Sequence, residues 1–333
     1  MKRLNWVGVA LVVLVAAGCA GSTPVDEKAA AAAFPDDRFL TAEAAGETEA
    51  QAKRAAMAEL AAIFEARVYA RTVQQATSWT GEGLPEQFDR QVEQSVRIHT
   101  DVQLEGARIG RAWPDEAGGG FRALAVLNRR QAASRWQREL AETRMAIDGQ
   151  EAALDDVAGR LSRLTALNRI TALMVREAAI ESRLSVLGRP VIPGVDAPSD
   201  IIARREQLAQ EVSLFIQLEG NPAPPFTRRL NALLSGDGCS LTPYRDEAAG
   251  LITGTIRVQP LDLGNPDVHF IRAIADIQLL DVDTDTQIAA FDESVRKGHV
   301  DEGEAARRAV EGLAAQVAEK LVRALGTLGV AVE

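Results

Sequence analysis

The sequence is poor in the residues from which enzymes and metal sites are usually built. Its 333 positions hold two cysteines, three histidines and only 5% aromatic residues. Two cysteines cannot form a disulfide framework, and His99, His269 and His299 are too scattered to suggest a metal or catalytic set. There is no Gly-x-Ser-x-Gly elbow, phosphate loop or zinc-ligand spacing. Positive charge is short as well: 37 Lys plus Arg face 47 Asp plus Glu. The resulting net charge of −10 repels a phosphate backbone and excludes nucleic acid as the expected partner. No run reaches the ~20 apolar residues of a bilayer span. What is present, 47% hydrophobic and 25% charged residues, is the composition of a folded globular chain long enough for two domains.

The first residues read as an address. Lys2 and Arg3 precede an apolar run from Trp6 to Ala17, which suits the core of a secretory signal over residues 1–18. Val15-Ala16-Ala17-Gly18-Cys19 then resembles the lipobox of bacterial lipoproteins, although Ala16 stands where that motif prefers a larger aliphatic residue. The resemblance implies diacylglycerol on the Cys19 thiol, cleavage before Cys19 and acylation of the new amine. An ordinary secretory signal that happens to contain a cysteine is the other reading. Acyl chains anchor by burying methylenes, each contributing roughly 0.8 kcal/mol, and two or more chains hold a protein stably. Ala20 follows where lipoproteins retained on the inner membrane carry Asp, so the expectation is the outer membrane, facing the periplasm. Loss of Lys2 and Arg3 moves the charge from −10 to −12. Residues 19–37, small, polar and Ala-rich with two prolines, read as a tether.

Two helices read alike. Thr48 with Gln51 forms a capping-box pattern ahead of Ala52, Ala56, Leu60, Ile63, Phe64 and Val68 at helical spacing. Asp301 with Glu304 repeats it ahead of Ala305, Ala309, Val310, Leu313, Val317, Leu321 and Leu325. Either the chain uses one packed-helix design twice, or two Ala-rich amphipathic helices simply align easily.

Between these helices, Arg67–Ser78 reads as extended, and Phe88, Val92 and Val96 suggest a short helix. Asp101–Trp113 and Phe121–Leu127 read as strands joined by the Gly-rich turn Asp115–Gly120, a β-hairpin. Asn128 with Gln131 is a further cap, opening a helical region to about Leu187. Its heptad phase slips and Gly149 and Gly159 interrupt it, which favours a helical hairpin over one coiled coil. A proline-broken loop, Gly188–Pro198, leads to a helix over about Ser199–Leu218. After Asn221–Pro225 comes a helix over Phe226–Leu234, then strands over Leu251–Val258, Val268–Leu280 and Thr286–Lys297. In the middle strand Ile271, Ala273, Ala275, Ile277 and Leu279 alternate with Arg272, Asp276 and Gln278, the pattern of a sheet with one dry face. The expected fold is α+β: two small antiparallel-sheet plus helix domains, 38–128 and 221–333, joined by a long helical hairpin region, 129–220.

Arg38–Val68, with Trp113–Asn128 and its strand running into Asn128-Arg129, resembles the Lpp-twenty outer-membrane lipoprotein family. This domain type occurs in flagellar outer-membrane lipoproteins and in flagellar assembly protein T, so the resemblance implies assembly work in the envelope. The C-terminal part, with Phe226–Leu234, Gly250–Thr255 and the Asp281–Thr286 turn, is similar to the outer-membrane activator of penicillin-binding proteins and to the curli secretion lipoprotein. It lacks that activator's long disordered tether. Neither resemblance implies a nucleotide, metal or other cofactor.

Few residues invite chemistry. Asp281, Asp283 and Asp285 alternate as at the start of a calcium loop, but Thr286 stands where such a loop needs Gly and Asp292 where it needs Glu, so a solvated turn is the favoured reading. Cys239 has no histidine near it in sequence and reads as a partly buried structural thiol, left without an internal partner once Cys19 is acylated. Trp79, Trp113 and Trp136 are a conceivable sugar platform, though single tryptophans are more often core or interface residues. The sequence therefore predicts a non-enzymatic, lipid-anchored periplasmic scaffold lipidated at Cys19, with envelope proteins or further copies of itself as partners. A regulator of peptidoglycan synthesis is the alternative.

Overall fold

The computed structural model describes residues 32–80, 104, 106–115, 118–189, 191, 198–264 and 267–326. The signal region, Cys19 and His99 lie outside these residues, as does the short helix expected around Phe88, Val92 and Val96. Within the described residues the chain is α+β. The order is β1 (Phe39–Gly46), α1 (Glu49–Thr80), β2 (Ala107–Pro114), β3 (Phe121–Asn128), α2 (Arg129–Leu154), α3 (Arg160–Val186), α4 (Pro198–Glu211), β4 (Leu214–Glu219), α5 (Ala223–Gly236), β5 (Gly250–Leu261), β6 (His269–Asp281), β7 (Thr286–His299) and α6 (Glu302–Ala324).

The first sheet has the order β1-β3-β2 and is antiparallel throughout. Its hairpin closes as the glycines predict, with Asp115 N–H on Gly120 O at 3.0 Å and Gly118 N–H on the Asp115 carboxylate at 3.2 Å. Alternation along β3 buries Ala123, Ala125 and Leu127 against Ala52, Ala56, Leu60, Phe64 and Val68 of α1. The opposite face of β3 buries Leu124 and Val126 beside Phe39 and Trp113. α1 can lie this close because Gly46 has no side chain; a Cβ there would come within 2.5 Å of Ala52 N. The capping box at its start is complete, Thr48 N–H on Gln51 Oε1 at 3.1 Å and Gln51 N–H on Thr48 Oγ1 at 3.3 Å.

One expectation fails just beyond. Arg67–Ser78 is not extended but continues α1 to Thr80. Val68, Thr72 and Ala76 recur at a spacing of four, and all three are buried, so packing overrides the strand preference of this β-branched stretch. Thr72 donates back to Val68 O at 2.8 Å, which satisfies its buried hydroxyl within the helix.

The helical hairpin is α2 and α3. Asn128 Oδ1 accepts from Gln131 N–H at 3.0 Å and caps α2. The neighbouring Arg129 reaches Phe39 O at 3.1 Å and Val186 O at 3.0 Å, tying β1 to the end of α3. The Asn-Arg pair at the end of β3 is thus a cap followed by a clamp. Helix α3 is buried on nearly every side, with Leu167, Ile170, Val175, Ile180 and Leu184 all at or below 1% exposure. A helix dry all round belongs at the centre of a structure. It packs against α1, α2 and α4 and touches the second sheet through β6.

The second sheet differs from expectation at its first strand. The helix predicted over Ser199–Leu218 ends at Glu211, and Leu214–Glu219 is β4. Leu214, Ile216 and Leu218 turn to the core at a period of two, a strand signal hidden behind the helical run before it. The order is β4-β5-β6-β7, with β4 parallel to β5 and the remaining pairs antiparallel, so this sheet is mixed. α5 supplies the crossover that a parallel pair requires. In β6 the alternation holds: Ile271, Ala273, Ala275, Ile277 and Leu279 are buried while Arg272, Asp276 and Gln278 are exposed. α6 covers that dry face with Ala305, Ala309, Leu313, Val317 and Leu321. Its cap is half of the expected box. Asp301 accepts from Glu304 N–H at 2.7 Å, but the Glu304 carboxylate turns to Arg307 and Arg308, and Asp301 N–H donates to His299 Nδ1 instead.

Candidate functional site

The residues singled out from the sequence do not converge on one site. Cys19 lies outside the described residues. Cys239 sits beside the apolar core, and burial pushes its thiol up to about 11, with the Asp237 charge adding to the shift. A thiol so held is protonated at neutral pH and a poor nucleophile. His269 and His299 face each other across β6 and β7, and His299 serves the Asp301 backbone. The tryptophans are dispersed: Trp113 is in the β3 cluster, Trp79 lies against α3 and α4 residues, and Trp136 stacks on Phe64 at 5.2 Å. They form no shared platform.

The aspartates of the β6–β7 turn form a joint. Asp281 is fully buried and its Oδ2 accepts from both Ser162 N–H and Ser162 Oγ at 2.7 Å. Asp283 accepts from Arg160 N–H at 2.9 Å and takes two guanidinium bonds at 2.8 Å. Those bonds hold the Asp283 carboxyl down to about 2. Two carboxylates thus cap the start of α3, where unpaired N–H groups and the helix dipole favour negative charge. The helical hairpin is thereby fixed to the second sheet. A second tie lies nearby, where buried Asn168 donates to Leu325 O at 2.8 Å and accepts from Arg205 Nε at 2.7 Å. Sequence inspection sees the aspartates as a turn, since their partners are more than a hundred residues away. No group of three or more His, Cys, Asp or Glu side chains stands in a metal-holding arrangement among the described residues.

A polar seam runs between α1, α2 and α3. Arg144 bridges Glu177 at 2.6 Å and Glu181 at 2.7 Å, Gln75 donates to Glu181 at 2.7 Å, and Arg176 pairs with Glu139 at 3.0 Å. Arg183, only 4% exposed, lies over the Trp136 ring at 6.0 Å. Burial lowers its guanidinium to about 10, against the opposing pull of Glu139.

A cleft lies elsewhere, at the open side of β5. β4 pairs with β5 only as far as Glu219↔Thr255, and the chain then leaves the sheet through Gly220-Asn221-Pro222. β5 runs on for six more residues to Leu261, paired to β6 throughout. The space beyond the end of β4 is a cleft of ≈ 890 Å³ between β5, α5 and α6. Pro225, Ile256, Val258, Ala306 and Val310 make it apolar; Arg228, Arg229 and Arg257 stand in its lining. Arg307 is neutralised by Glu304 and Glu311, whereas the other three arginines have no acidic partner among the described residues. An acidic chain therefore carries a basic, apolar-floored cleft.

No protein-family model and no curated protein matches the chain. Among solved structures it is similar to a minor lipoprotein of Acinetobacter baumannii, at 17% identity and a TM-score of 0.28, over 34% of this chain and 94% of that one. It is also similar to a secreted protein of Helicobacter pylori, at 13% identity and a TM-score of 0.37, over 86% and 98% of the two chains. A third likeness is to rare lipoprotein B of Shewanella oneidensis, at 13% identity and a TM-score of 0.19, over 33% and 87%.

Proposed function

We propose that this chain is a lipoprotein anchored through Cys19 in the outer membrane, facing the periplasm, and that it works as a non-enzymatic scaffold in assembly of the envelope or the flagellum. The observation that carries the anchor is the basic start, the apolar run and Val15–Cys19 in sequence. No helix among the described residues is long and apolar enough to cross a membrane. The scaffold role is supported by what its polar residues already do. Asp281 and Asp283 fix a joint, the Cys239 thiol is held protonated, and the tryptophans are spread over separate clusters. The helical hairpin is tied to the first sheet by Arg129 and to the second by Asp281 and Asp283, an arrangement suited to presenting two surfaces to partners.

Metabolic labelling with palmitate tests the anchor. The wild-type chain takes up label and fractionates with outer membranes, and Cys19→Ser loses both; label retained in Cys19→Ser rejects the proposal. Deletion tests the role: unchanged motility, envelope integrity and co-purifying partners would reject assembly. Regulation of peptidoglycan synthesis is the second reading, favoured by the order α5, β5, β6, β7 and α6, which follows the helix, strands, hairpin and final helix of the activator it resembles. Glycan polymerisation by a cognate synthase, with and without the protein, separates the two.

A further inference from the structure

We infer that the β5 cleft receives an extended acidic segment of a partner protein, which adds to β5 as a short strand in line with β4. The inference deepens the scaffold reading by naming the chemistry of one partner.

The backbone provides the first argument. A Cβ on Gly220 would fall 2.0 Å from Ile256 O, so the Ile256 carbonyl points toward the β4 side of β5. Backbone groups alternate sides along a strand, so Val258 and Pro260 share that direction while Arg257 and Gln259 turn to β6. Beyond Thr255 no strand lies on this side among the described residues, and Val258 offers both N–H and C=O to the cleft. Pro260 fits the same geometry, because a proline within a strand is tolerated where its missing N–H faces an unpaired edge. It also limits the addition to a few residues.

The second argument is charge. Arg228, Arg229 and Arg257 stand around the cleft with no acidic partner among the described residues, in a chain whose net charge is −10. The start of α5 does not itself serve as an anion cradle. Pro224 and Pro225 have no N–H, and the amides of Ala223 and Phe226 are bonded to Gly220 O and Pro222 O. The arginines are therefore the recognition elements for negative charge, and the open edge is the element for polypeptide. A phosphate or lipid headgroup would use the arginines but leave the Val258 amide and the apolar floor unmatched. Strand addition uses all three, with main-chain bonds giving affinity and alternate side chains giving choice.

The test is fluorescence anisotropy with the full-length protein in detergent and a fluorescein-labelled hexapeptide alternating valine and glutamate. Expected are saturable binding that weakens with salt, a loss of about tenfold or more when valine is replaced by N-methyl-valine, and a similar loss with lysine in place of glutamate. Arg228→Glu with Arg257→Glu, both exposed, should weaken binding to the same degree while the thermal unfolding midpoint is kept. Val258→Pro removes the edge N–H and should do likewise, whereas Val258→Ala, which shortens the side chain but keeps the N–H, should lose less. Equal binding of the N-methylated peptide overturns strand addition, and equal binding of the lysine peptide overturns the charge argument. No binding overturns the inference outright, as does sedimentation showing a dimer of this chain abolished by Val258→Pro. If the peptide fails while envelope partners still co-purify, the cleft is rejected and the scaffold reading stands.

Discussion

Gly159 lies against the buried carboxylate of Asp281 so closely that a Cβ there would stand 2.3 Å from Oδ2. Gly159 also has φ of +86°, a conformation that side chains disfavour. These two constraints meet at the turn where α2 becomes α3 and where the hairpin meets the second sheet. Gly159→Ala is therefore expected to destabilise the fold by ~1–3 kcal/mol from backbone strain and steric displacement of the carboxylate together. Urea unfolding measures this, and a double-mutant cycle with Asp281→Ala should show coupling, because the alanine side chain clashes only while the carboxylate is present. Additive effects would mean that Asp281 does not set the space at Gly159.

The companion carboxylate gives the joint a pH dependence of known sign. Arg160 holds Asp283 at about 2, below its ordinary 3.8. A carboxyl whose folded value is depressed contributes stability that is fully present above the unfolded value and is lost as pH falls through the folded one. The difference in stability between the wild type and Asp283→Asn should be constant above about pH 5, shrink between pH 4 and 2, and vanish below. Because the pair is largely exposed, it should also weaken with salt. A difference that grew on acidification would contradict the assignment.

Elements whose partners are near in sequence were legible in it. The Thr48–Gln51 box, the Asn128 cap, the β2–β3 hairpin and the alternation of β6 each depend on residues within one short window. Arg67–Ser78 reads as extended because Val68 and Thr72 favour strands locally, and contact with α3 makes the stretch helical. β4 was hidden because its pairing with β5 lies more than thirty residues away, and the Asp281–Ser162 contact because it spans 119. The cleft had no local clue, because the strand read from sequence stops at Val258; in the structure Pro260 lies inside β5, where a missing N–H suits an open edge. Arg228 and Arg229 are adjacent on α5, and Arg257 on β5 joins them only through the fold.

Cys239 should behave as a structural thiol. Its elevation to about 11 from 9.0 lowers the thiolate fraction at neutral pH by roughly a hundredfold relative to the unfolded chain. Iodoacetamide at pH 8 should therefore modify the native protein slowly and the urea-unfolded protein rapidly, followed by intact mass. A non-reducing gel of Cys19→Ser should show monomer, since a protonated, half-buried thiol is poorly placed to join a second chain. Rapid native alkylation would overturn this reading.

The polar seam separates a charge that the fold needs from one it tolerates. Glu181, 8% exposed, accepts from Gln75 and from Arg144, so Glu181→Ala removes one hydrogen bond from each. Breaking one side of a fully buried pair costs ~3–5 kcal/mol, and the loss here should fall below that, because the Arg144 side chain is 35% exposed and keeps Glu177. Arg183 is different: its Nη2 is buried with no hydrogen-bond partner among the described residues, and desolvation dominates its shift. Arg183→Met keeps much of the length and the contact with Trp136 while removing an ill-matched buried charge. It should change stability by less than about 1 kcal/mol or raise it, as apolar replacement of buried charge often does. Thermal and urea unfolding of both variants check the contrast. A loss with Arg183→Met as large as that with Glu181→Ala would show that the guanidinium is part of the seam's support and not a charge the core merely accommodates.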